Sequence, residues 1–493
     1  MTFNNQNAID SFPIENPNCT DIPSNVYIFG PNITNLDGLS QLTSIGGRLT
    51  LSQTTSLTCI CGLNNLQSIG GSLEIDDAYN LTSLNGFNNL TQIGGDLHIF
   101  TFSLVQLNGF ANLNSIGGDF DLWLPELNSL EDFSNLTSIG GRASLSDFYN
   151  LESFEGLENL EYIEGTLNIF HNASLINLTG LSGLTSLSGL NVYQNPLLIN
   201  LQGLENITFF SSNAMISYND KLIDLTGLNN LQYTDVHLYI QNNKSLRNLN
   251  GLESLTNIKG VLGIVENKSL QSFAGLSNTH PIESFGLQII NNDSLIDLTG
   301  LNSLKKIHNE LSIADNNFLR NLDGIDNLDS IGGELTLWKN IRLNDISALD
   351  RPITILGDLS ILDNDSLSDC SKQAICDYLA APPGDATFSY NHINCNDETL
   401  IREQCGITNT EDAAFSVPEI IIFPNPGNGF FKLECKNNIL TGAVNIYNKT
   451  GHLIYSSELI GTLTINISEH PPGIYFMEIK TGEKCITRRL VLI

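Results

Sequence analysis

Apolar residues recur along most of the chain with a spacing that changes inside each unit. Leu167 and Ile169 lie two residues apart, which is the alternation of a β-strand. The apolar residues from Leu175 to Leu187 then follow at intervals of three, a spacing that fits 3₁₀ or polyproline-like turns better than an α-helix. The pattern predicts one short strand per unit and a thin back without long helices.

An apolar anchor, preceded by glycine in most units, marks the period of this pattern. The anchors are Leu39, Leu63, Phe87, Phe110, Phe133, Leu157, Leu181, Leu204, Leu228, Leu252, Leu276, Leu301, Ile325 and Leu349. They lie 23 to 25 residues apart, within the range of leucine-rich repeats. Because one unit cannot bury its own apolar stripe, stacked units must bury it against each other. We therefore expect an all-β fold, a parallel β-solenoid of about fourteen units.

Glycine and asparagine recur at fixed places in these units. Gly-Gly pairs such as Gly70-Gly71 precede many strands, and we expect positive φ angles there, at a sharp corner. From Asn172 to Asn364, an asparagine follows the second inward residue of each strand by three positions. Stacked inward asparagines can satisfy backbone groups of the neighbouring turns. The first five units carry other residues at this position of the unit, so we expect looser turns there.

The outward strand residues form two columns, and both tryptophans of the chain, Trp123 and Trp338, fall in the second column. Exposed aromatic patches commonly mark recognition surfaces, although aromatic residues also simply suit strands. In the N-terminal half they alternate with hydrogen-bonding side chains, as a polysaccharide site or a protein hot spot requires. The candidate ligand-binding residues are His98, Phe100, Asp121, Trp123, Asn168, Phe170, Asn191 and Tyr193.

Charge and missing motifs exclude several functions. The formal net charge is −31, and residues 1–220 hold only Arg48 and Arg142 as basic residues. This argues against nucleic acid and anionic membrane surfaces as partners, and no apolar run is long enough to span a membrane. Only Asp76 with Asp77, and Asp119 with Asp121, could form a pair of catalytic carboxylates. We interpret both pairs as part of a solvated acidic face. We expect no enzyme, no cofactor and no metal site.

Nine cysteines fall in three clusters and indicate an oxidising compartment. Cys370, Cys376, Cys395 and Cys405 follow the last repeat, where two disulfides in any of three pairings would cap the solenoid. In the N-terminal part, Cys19 could reach Cys59 or Cys61. Near the C-terminus, Cys435 and Cys485 could form a bridge. One cysteine is left over.

The unit pattern Ile-Gly-Gly-x-Leu-x-Ile-x-x-Asn-x-x-Leu-x-x-Leu-x-Gly-Leu resembles the receptor L domain over about residues 20–367. This is the leucine-rich solenoid of insulin- and EGF-receptor-type ectodomains and of many secreted Bacteroidetes proteins. The resemblance implies a right-handed parallel β-solenoid with a binding role. It identifies no ligand, because no receptor contact motif is present.

Residues 417–493 resemble the C-terminal sorting domain of type IX secretion, a small β-sandwich that an outer-membrane translocon reads and that is usually cleaved. The motif residues are Pro424, Asn425, Pro426, Gly473, Ile474, Tyr475, Arg488 and Arg489. The family usually ends in a Lys-rich strand, where this chain has the two arginines. The resemblance implies the type IX machinery as a partner and a secreted or surface-attached protein. Met1 to Asp10 has no apolar segment of a secretory signal, so we expect that the chain is truncated or its start misplaced.

Five segments are expected along the chain: an N-terminal cap at 1–35, the solenoid at 36–367, a disulfide-bearing cap at 368–406, a linker at 407–416 and the sorting domain at 417–493. Two functions fit them. The first is a secreted or cell-surface recognition or adhesion protein that binds a glycan or protein through the outer strand face. The second is a structural spacer or surface-layer component without a discrete ligand site.

Overall fold

The chain forms two separate compact units, Met1–Ile407 and Thr408–Ile493. The computed structural model describes residues 1–276, 282–407, 420–435, 441–449, 451–481 and 484–493. Apart from Ile407, the predicted linker 407–416 lies outside the described residues.

The first unit is a parallel β-solenoid of about sixteen turns. Its principal strands, which pair in parallel with their neighbours in order, are Val26–Phe29, Leu49–Ser52, Leu73–Asp76, Leu97–Phe100, Phe120–Trp123, Ala143–Ser146, Thr166–Phe170, Gly189–Tyr193, Ala214–Ser217, Leu238–Gln241, Asn257–Val265, Ile282–Ile290, Leu311–Ala314, Leu335–Trp338, Leu359–Leu362 and Ala386–Ser389. The expected number of about fourteen was too low because Val26–Phe29 and Ala386–Ser389 add a strand at either end, where the sequence lacks the regular anchor.

A second row of shorter strands precedes the principal ones. These strands are Asp21–Ile22, Ser44–Ile45, Ser68–Ile69, Gln92–Ile93, Ser115–Ile116, Ser138–Ile139, Tyr162–Ile163, Phe209–Phe210, Tyr233–Thr234, Leu304–Ile307, Ser330–Ile331 and Thr354–Ile355. In Asn257–Val265 and Ile282–Ile290 one strand runs through both rows.

The back of the solenoid is made of turns, as the three-residue spacing predicts. Short 3₁₀ helices occur at Asp37–Leu39, Cys61–Leu63, Asn85–Phe87, Glu131–Phe133, Thr179–Leu181 and Ser347–Leu349. The anchor residues are buried, for example Leu63 and Phe87. They join one continuous core that runs through the first unit, so each turn is stabilised by its neighbours.

The Gly-Gly pairs do not have the positive φ angles expected of them. The glycines with positive φ in the solenoid lie elsewhere, for example at Gly156 and Gly203. At the pairs, glycine is required by close packing of successive turns instead. A Cβ atom on Gly94 would lie 2.2 Å from the carbonyl oxygen of Gly70, and one on Gly117 would lie 2.3 Å from that of Gly94. No side chain fits at such a distance from a backbone atom.

The inward asparagines form a continuous buried hydrogen-bonded ladder, as predicted. Asn267 is typical: its N–H donates to Oδ1 of Asn292 at 3.0 Å, and its Nδ2 donates to the carbonyl oxygen of Ile240 at 2.8 Å. Its Oδ1 accepts the N–H of Asn243 at 3.1 Å. The ladder extends one residue beyond the predicted column, because Oδ1 of Asn391 accepts the N–H of Asn364 at 2.9 Å.

The N-terminal cap consists of a two-residue strand and one helix. Thr2–Phe3 pairs in parallel with the first principal strand. The helix Gln6–Glu15 begins at Asn5, whose side chain accepts the N–H of Ala8 at 3.0 Å. The helix buries Ile9 and Phe12, and the ring of Phe12 packs edge-on against Phe3 at 5.5 Å between centroids. This apolar face covers the core at the first turn.

The C-terminal cap contains the helices Gln373–Ala380 and Glu398–Gln404 and the 3₁₀ turn Ile393–Cys395. Two disulfides tie it together, as predicted. The structure selects one of the three possible pairings, Cys370–Cys395 with Cys376–Cys405.

At the other end of the chain Cys59 bonds Cys61, and Cys19 is a free thiol. The expectation that Cys19 reaches one of them was wrong. Asp21 is in register with Ser44, and Ser44 with Ser68, so Cys19 occupies the place that Leu66 has in its own turn. Cys59 and Cys61 belong to an earlier part of the turn, where their Cα atoms are 5.4 Å apart. The side chains of Cys435 and Cys485, the other predicted pair, lie outside the described residues.

The second unit contains two antiparallel sheets. One has the strands Ile420–Phe423, Phe430–Cys435 and Thr462–Asn466. The other has Leu453–Ile460, Thr441–Asn448, Gly473–Thr481 and Lys484–Leu492, in that spatial order. Residues of both sheets, such as Leu433 and Ile446, share one hydrophobic core.

Candidate functional site

The outward side chains of the principal strands stand in two columns in the predicted register. His98 pairs with Asp121, and Phe100 pairs with Trp123. Asn168 likewise pairs with Asn191, and Phe170 with Tyr193. The parallel ladder keeps each column in line because every strand begins at the same place in its turn. The eight candidate residues therefore lie on one face of the solenoid.

The first group of candidates is held by a charged network. The Nδ1 atom of His98 lies 3.0 Å from Oδ2 of Asp121. Arg142 contacts that same oxygen through Nη2 at 3.3 Å and binds Oδ2 of Asp119 through Nε at 3.0 Å. Asp121 is 7 % exposed, and its other carboxylate oxygen is buried without a hydrogen-bond partner. These contacts fix His98 and Asp121 in place beside the aromatic column.

Asp96 extends this network towards the N-terminus. Burial raises the pKa of Asp96, but hydrogen bonds from the backbone N–H of Asp119 and the hydroxyl of Ser72, together with nearby His98, outweigh it. The net pKa is lowered from its usual value. The carboxylate is therefore stabilised in its ionised form, and the surface around His98 stays acidic.

Aromatic rings gather where the strands of this group end. The rings of His98 and Phe100 are stacked with centroids 6.3 Å apart. Trp123 meets Phe102 edge-on at 4.5 Å, and Phe102 lies 6.5 Å from Tyr79. Phe100, Phe102 and Tyr79 expose 40, 54 and 50 % of their surface, so the cluster is open to solvent.

The second group is built from pairs of like side chains. Nδ2 of Asn191 donates to Oδ1 of Asn168 at 2.8 Å. The rings of Phe170 and Tyr193 stack with an interplanar angle of 13° and centroids 5.2 Å apart. His171 packs edge-on against both rings. Each of the four candidates is half-buried, so part of each polar or aromatic surface is already used within the column.

One turn separates the two groups. Ser144 and Ser146 occupy its outward positions, and Ser146 is buried between its neighbours. The structure therefore brings the eight candidates together as two patches and not as one strip. Beside the second patch, a shallow depression of about 540 Å³ is lined by residues that include Asn191, Met215 and Tyr239.

Sequence reasoning missed Tyr79, Phe102 and Tyr149, which lie on the turns beyond the strands. For Phe102 the spacing of the anchors was a signal. From Phe87 to Phe110 and from Phe110 to Phe133 the period is 23 residues, one fewer than in the adjacent units. The residue removed there is the one that has positive φ in most other turns.

Of the four carboxylates considered as catalytic pairs, Asp77, Asp119 and Asp121 are engaged in structural contacts. Oδ1 of Asp77 accepts a hydrogen bond from the hydroxyl of Tyr79. Asp119 accepts the N–H of Arg142 at 2.9 Å in addition to its guanidinium. Within the part of the chain that the structure describes, no group of three or more His, Cys, Asp and Glu side chains is placed to hold a metal ion.

In the second unit the predicted sorting motifs meet at one place. The Asn425 side chain accepts the N–H of Val491 at 2.8 Å and donates to the carbonyl oxygen of Arg489 at 2.7 Å. Gly473 pairs with Leu492 on the adjacent strand. Tyr475 is buried, and its hydroxyl donates to the carbonyl oxygen of Pro471 at 2.6 Å. Asn425 is thus held against the last strand of the chain, which pairs with the strand that begins at Gly473.

The remaining motif residues also lie close to this place. Pro424 and Pro426 follow cis peptide bonds. Ile474 is paired with Val491 and is partly exposed, while Arg488 and Arg489 present exposed side chains on the last strand. The motifs are therefore close in space as well as ordered in sequence.

Comparison with known families identifies this second unit. Residues 421–493 match the family model described as "Secretion system C-terminal sorting domain". No curated protein matches the chain. The sorting domain implies recognition by the type IX secretion machinery, secretion and attachment to the outer cell surface. Among the described residues, none of the helices has the length and apolar character needed to cross a membrane.

Proposed function

We propose that this protein is a non-enzymatic recognition or adhesion protein that binds a glycan or a protein through the outer strand face of its solenoid. The solenoid is proposed to be of the leucine-rich, receptor L domain-like kind. The single observation that carries the proposal is the exposed aromatic surface beside His98 and Asp121, on a protein whose tail directs it outside the cell.

Two further features support binding over catalysis. The carboxylates of Asp119 and Asp121 are engaged with Arg142 and His98, so they are poorly placed to exchange protons with a substrate. The aromatic residues, in contrast, expose ring surface. Partly exposed rings next to fixed polar groups are the usual composition of recognition surfaces.

The test is a triple variant, Trp123→Ala, Phe170→Ala and Tyr193→Ala, in the full chain. A glycan array and a pull-down with the native chain first identify a ligand, and the affinity of both proteins is then measured by titration. We expect a loss of about tenfold or more, because each aromatic contact contributes roughly 0.5–1.5 kcal/mol.

The matched control is Ile290→Ala, Trp338→Ala and Leu362→Ala, which changes the same column in the C-terminal half of the solenoid. Circular dichroism verifies that both variants fold. Unchanged affinity of the first variant would remove the proposed site. The alternative, a structural spacer or surface-layer component without a discrete ligand, would then take its place.

A further inference from the structure

Five aromatic side chains on four successive turns make up a surface that we name the aromatic ridge: Tyr79, Phe100, Phe102, Trp123 and Tyr149. Tyr79 and Phe102 lie on successive turns, and their rings are 6.5 Å apart. Phe102 contacts Trp123 edge-on at 4.5 Å. Tyr149 follows on the turn after Pro125, to whose carbonyl oxygen it donates its N–H at 3.1 Å.

Two turns of the solenoid that carry the ridge are shortened. In a regular turn, a residue with positive φ follows the second outward strand residue, as Asp77 and Asp147 do at 52° and 58°. After Phe100 and Trp123 this residue is missing, and the buried Thr101 and Leu124 follow at once. Without that residue between strand and turn, Phe102 comes directly against the tryptophan at the strand end.

The ridge runs across the strands, along the axis of the solenoid. Strands in a sheet are about 4.8 Å apart, so the three intervals between Tyr79 and Tyr149 span roughly 14 Å. Tyr79, Phe102 and Tyr149 each expose at least half of their surface, from 50 to 54 %. The surface is therefore elongated and one or two side chains wide, and it is open at both ends and at Phe102, while Pro125 between Phe102 and Tyr149 is buried.

Acidic side chains border the ridge. Asp76 and Glu126 are exposed, and Asp77 and Asp147 are half-buried. The only two basic residues in the first 220 are occupied elsewhere: Arg48 binds Glu74 at 3.0 Å, and Arg142 binds Asp119. An anionic ligand would meet uncompensated negative charge, whereas exposed carboxylates accept hydrogen bonds from hydroxyl groups.

From this geometry we propose that the aromatic ridge is the binding platform for a neutral polysaccharide that lies along the solenoid axis. The inference rests on the proposed function and specifies its ligand and its location. Sugar rings have apolar faces that pack on aromatic side chains and hydroxyl edges that reach the flanking carboxylates. A stable protein interface needs about 800 Å² from each partner and few charged residues at its centre, which suits this narrow acidic-edged surface less well.

The experiment uses the full chain and polysaccharides of two kinds. The neutral probes are mannan, mixed-linkage β-glucan, soluble starch and arabinoxylan, and the anionic probes are alginate and polygalacturonate. Affinity electrophoresis ranks the probes, and calorimetric titration measures the best one. We expect binding to at least one neutral probe and none to the anionic probes. For the double variant Tyr79→Ala and Phe102→Ala, we expect a loss of about tenfold or more.

The matched control is Tyr218→Ala with Phe318→Ala, which removes two exposed aromatic residues from turns outside the ridge. Phe102→Trp should retain binding, because it keeps an aromatic face at the same position. Thermal melting verifies that every variant is folded.

A second double variant, Phe170→Ala with Tyr193→Ala, separates the two proposals. If it abolishes polysaccharide binding while the ridge variant binds normally, the ridge assignment is overturned and strand-face binding stands. If neither variant changes the affinity, both fail. The inference is also overturned if the chain binds none of the neutral probes or prefers the anionic ones. It is overturned as well if a protein is the only partner found.

Discussion

At the scale of single residues, the asparagine ladder shows how a buried polar side chain specifies a turn. Each ladder asparagine satisfies backbone groups in more than one turn, and all nine predicted members are fully buried. A buried backbone group that has lost its partner costs about 1–3 kcal/mol. A side chain needs both a donor and an acceptor at this length to make the bonds of the ladder.

This argument predicts that Asn267→Ala strongly destabilises the solenoid. The change leaves the N–H of Asn243 and the carbonyl oxygen of Ile240 without their side-chain partners, so we expect a loss of about 3 kcal/mol in the free energy of unfolding. Chemical denaturation measures the loss. The control is Asn230→Ala, whose exposed side chain makes one bond, to the carbonyl oxygen of Glu205 at 2.7 Å. Equal stability of the two variants would contradict the role given to the ladder.

At the scale of elements, the two ends of the solenoid are closed differently. The N-terminal end is covered by one helix that packs Ile9 and Phe12 on the core. The C-terminal end is covered by two short helices, Gln373–Ala380 and Glu398–Gln404, whose connections are fixed by two disulfides. Short helices have little intrinsic stability, so we infer that the covalent bonds keep this cap on the last turns.

Reduction should therefore loosen the last turns before the rest of the solenoid. The cap disulfides close loops with separations of 25 and 29 residues, for which the stabilisation is about 2–4 kcal/mol each. The expected result is a lower melting temperature and faster hydrogen exchange at residues 340–406.

A variant that lacks only the Cys59–Cys61 bond is the matched control. That bond spans two residues, so it removes little chain entropy and its loss should change stability much less. If full reduction left both melting and exchange at residues 340–406 unchanged, the cap would owe its stability to packing alone.

At the scale of the whole molecule, the two units differ in charge as well as in fold. Residues 1–406 hold 15 basic and 45 acidic side chains, whereas residues 407–493 hold 7 and 8. A strongly acidic solenoid resists self-association, which suits a protein displayed outside the cell. The near-neutral second unit carries the sorting signal.

Separate roles for the two units predict that the mature extracellular protein has lost the sorting domain. Mass spectrometry of the native protein should give a mass without residues 417–493. A chain made without these residues should stay inside the cell, because the secretion machinery no longer recognises it. Recovery of intact chain in the cytoplasmic fraction alone would contradict the prediction.

The sequence by itself determined the solenoid, its strand register and the two outward columns. Leucines at a fixed period leave one way to stack the units, since a slip of one residue would turn every apolar side chain outward. The buried asparagine column followed from the same spacing. The three sorting motifs could also be recognised from the sequence, because each motif is a short run of consecutive residues.

Only the tertiary structure decided the features that depend on contacts between successive turns. The Gly-Gly pairs are glycine because the next turn lies against them, and not because of their own φ angles. Cys59 bonds Cys61 and not Cys19 because stacking places Cys19 at a different position of the turn. Tyr79 and Phe102 are adjacent because stacking places equivalent positions of successive turns side by side. The glycine and aromatic contacts join residues that are more than twenty positions apart, and the missing Cys19 bond would also have done so. A local sequence pattern cannot predict contacts over that distance.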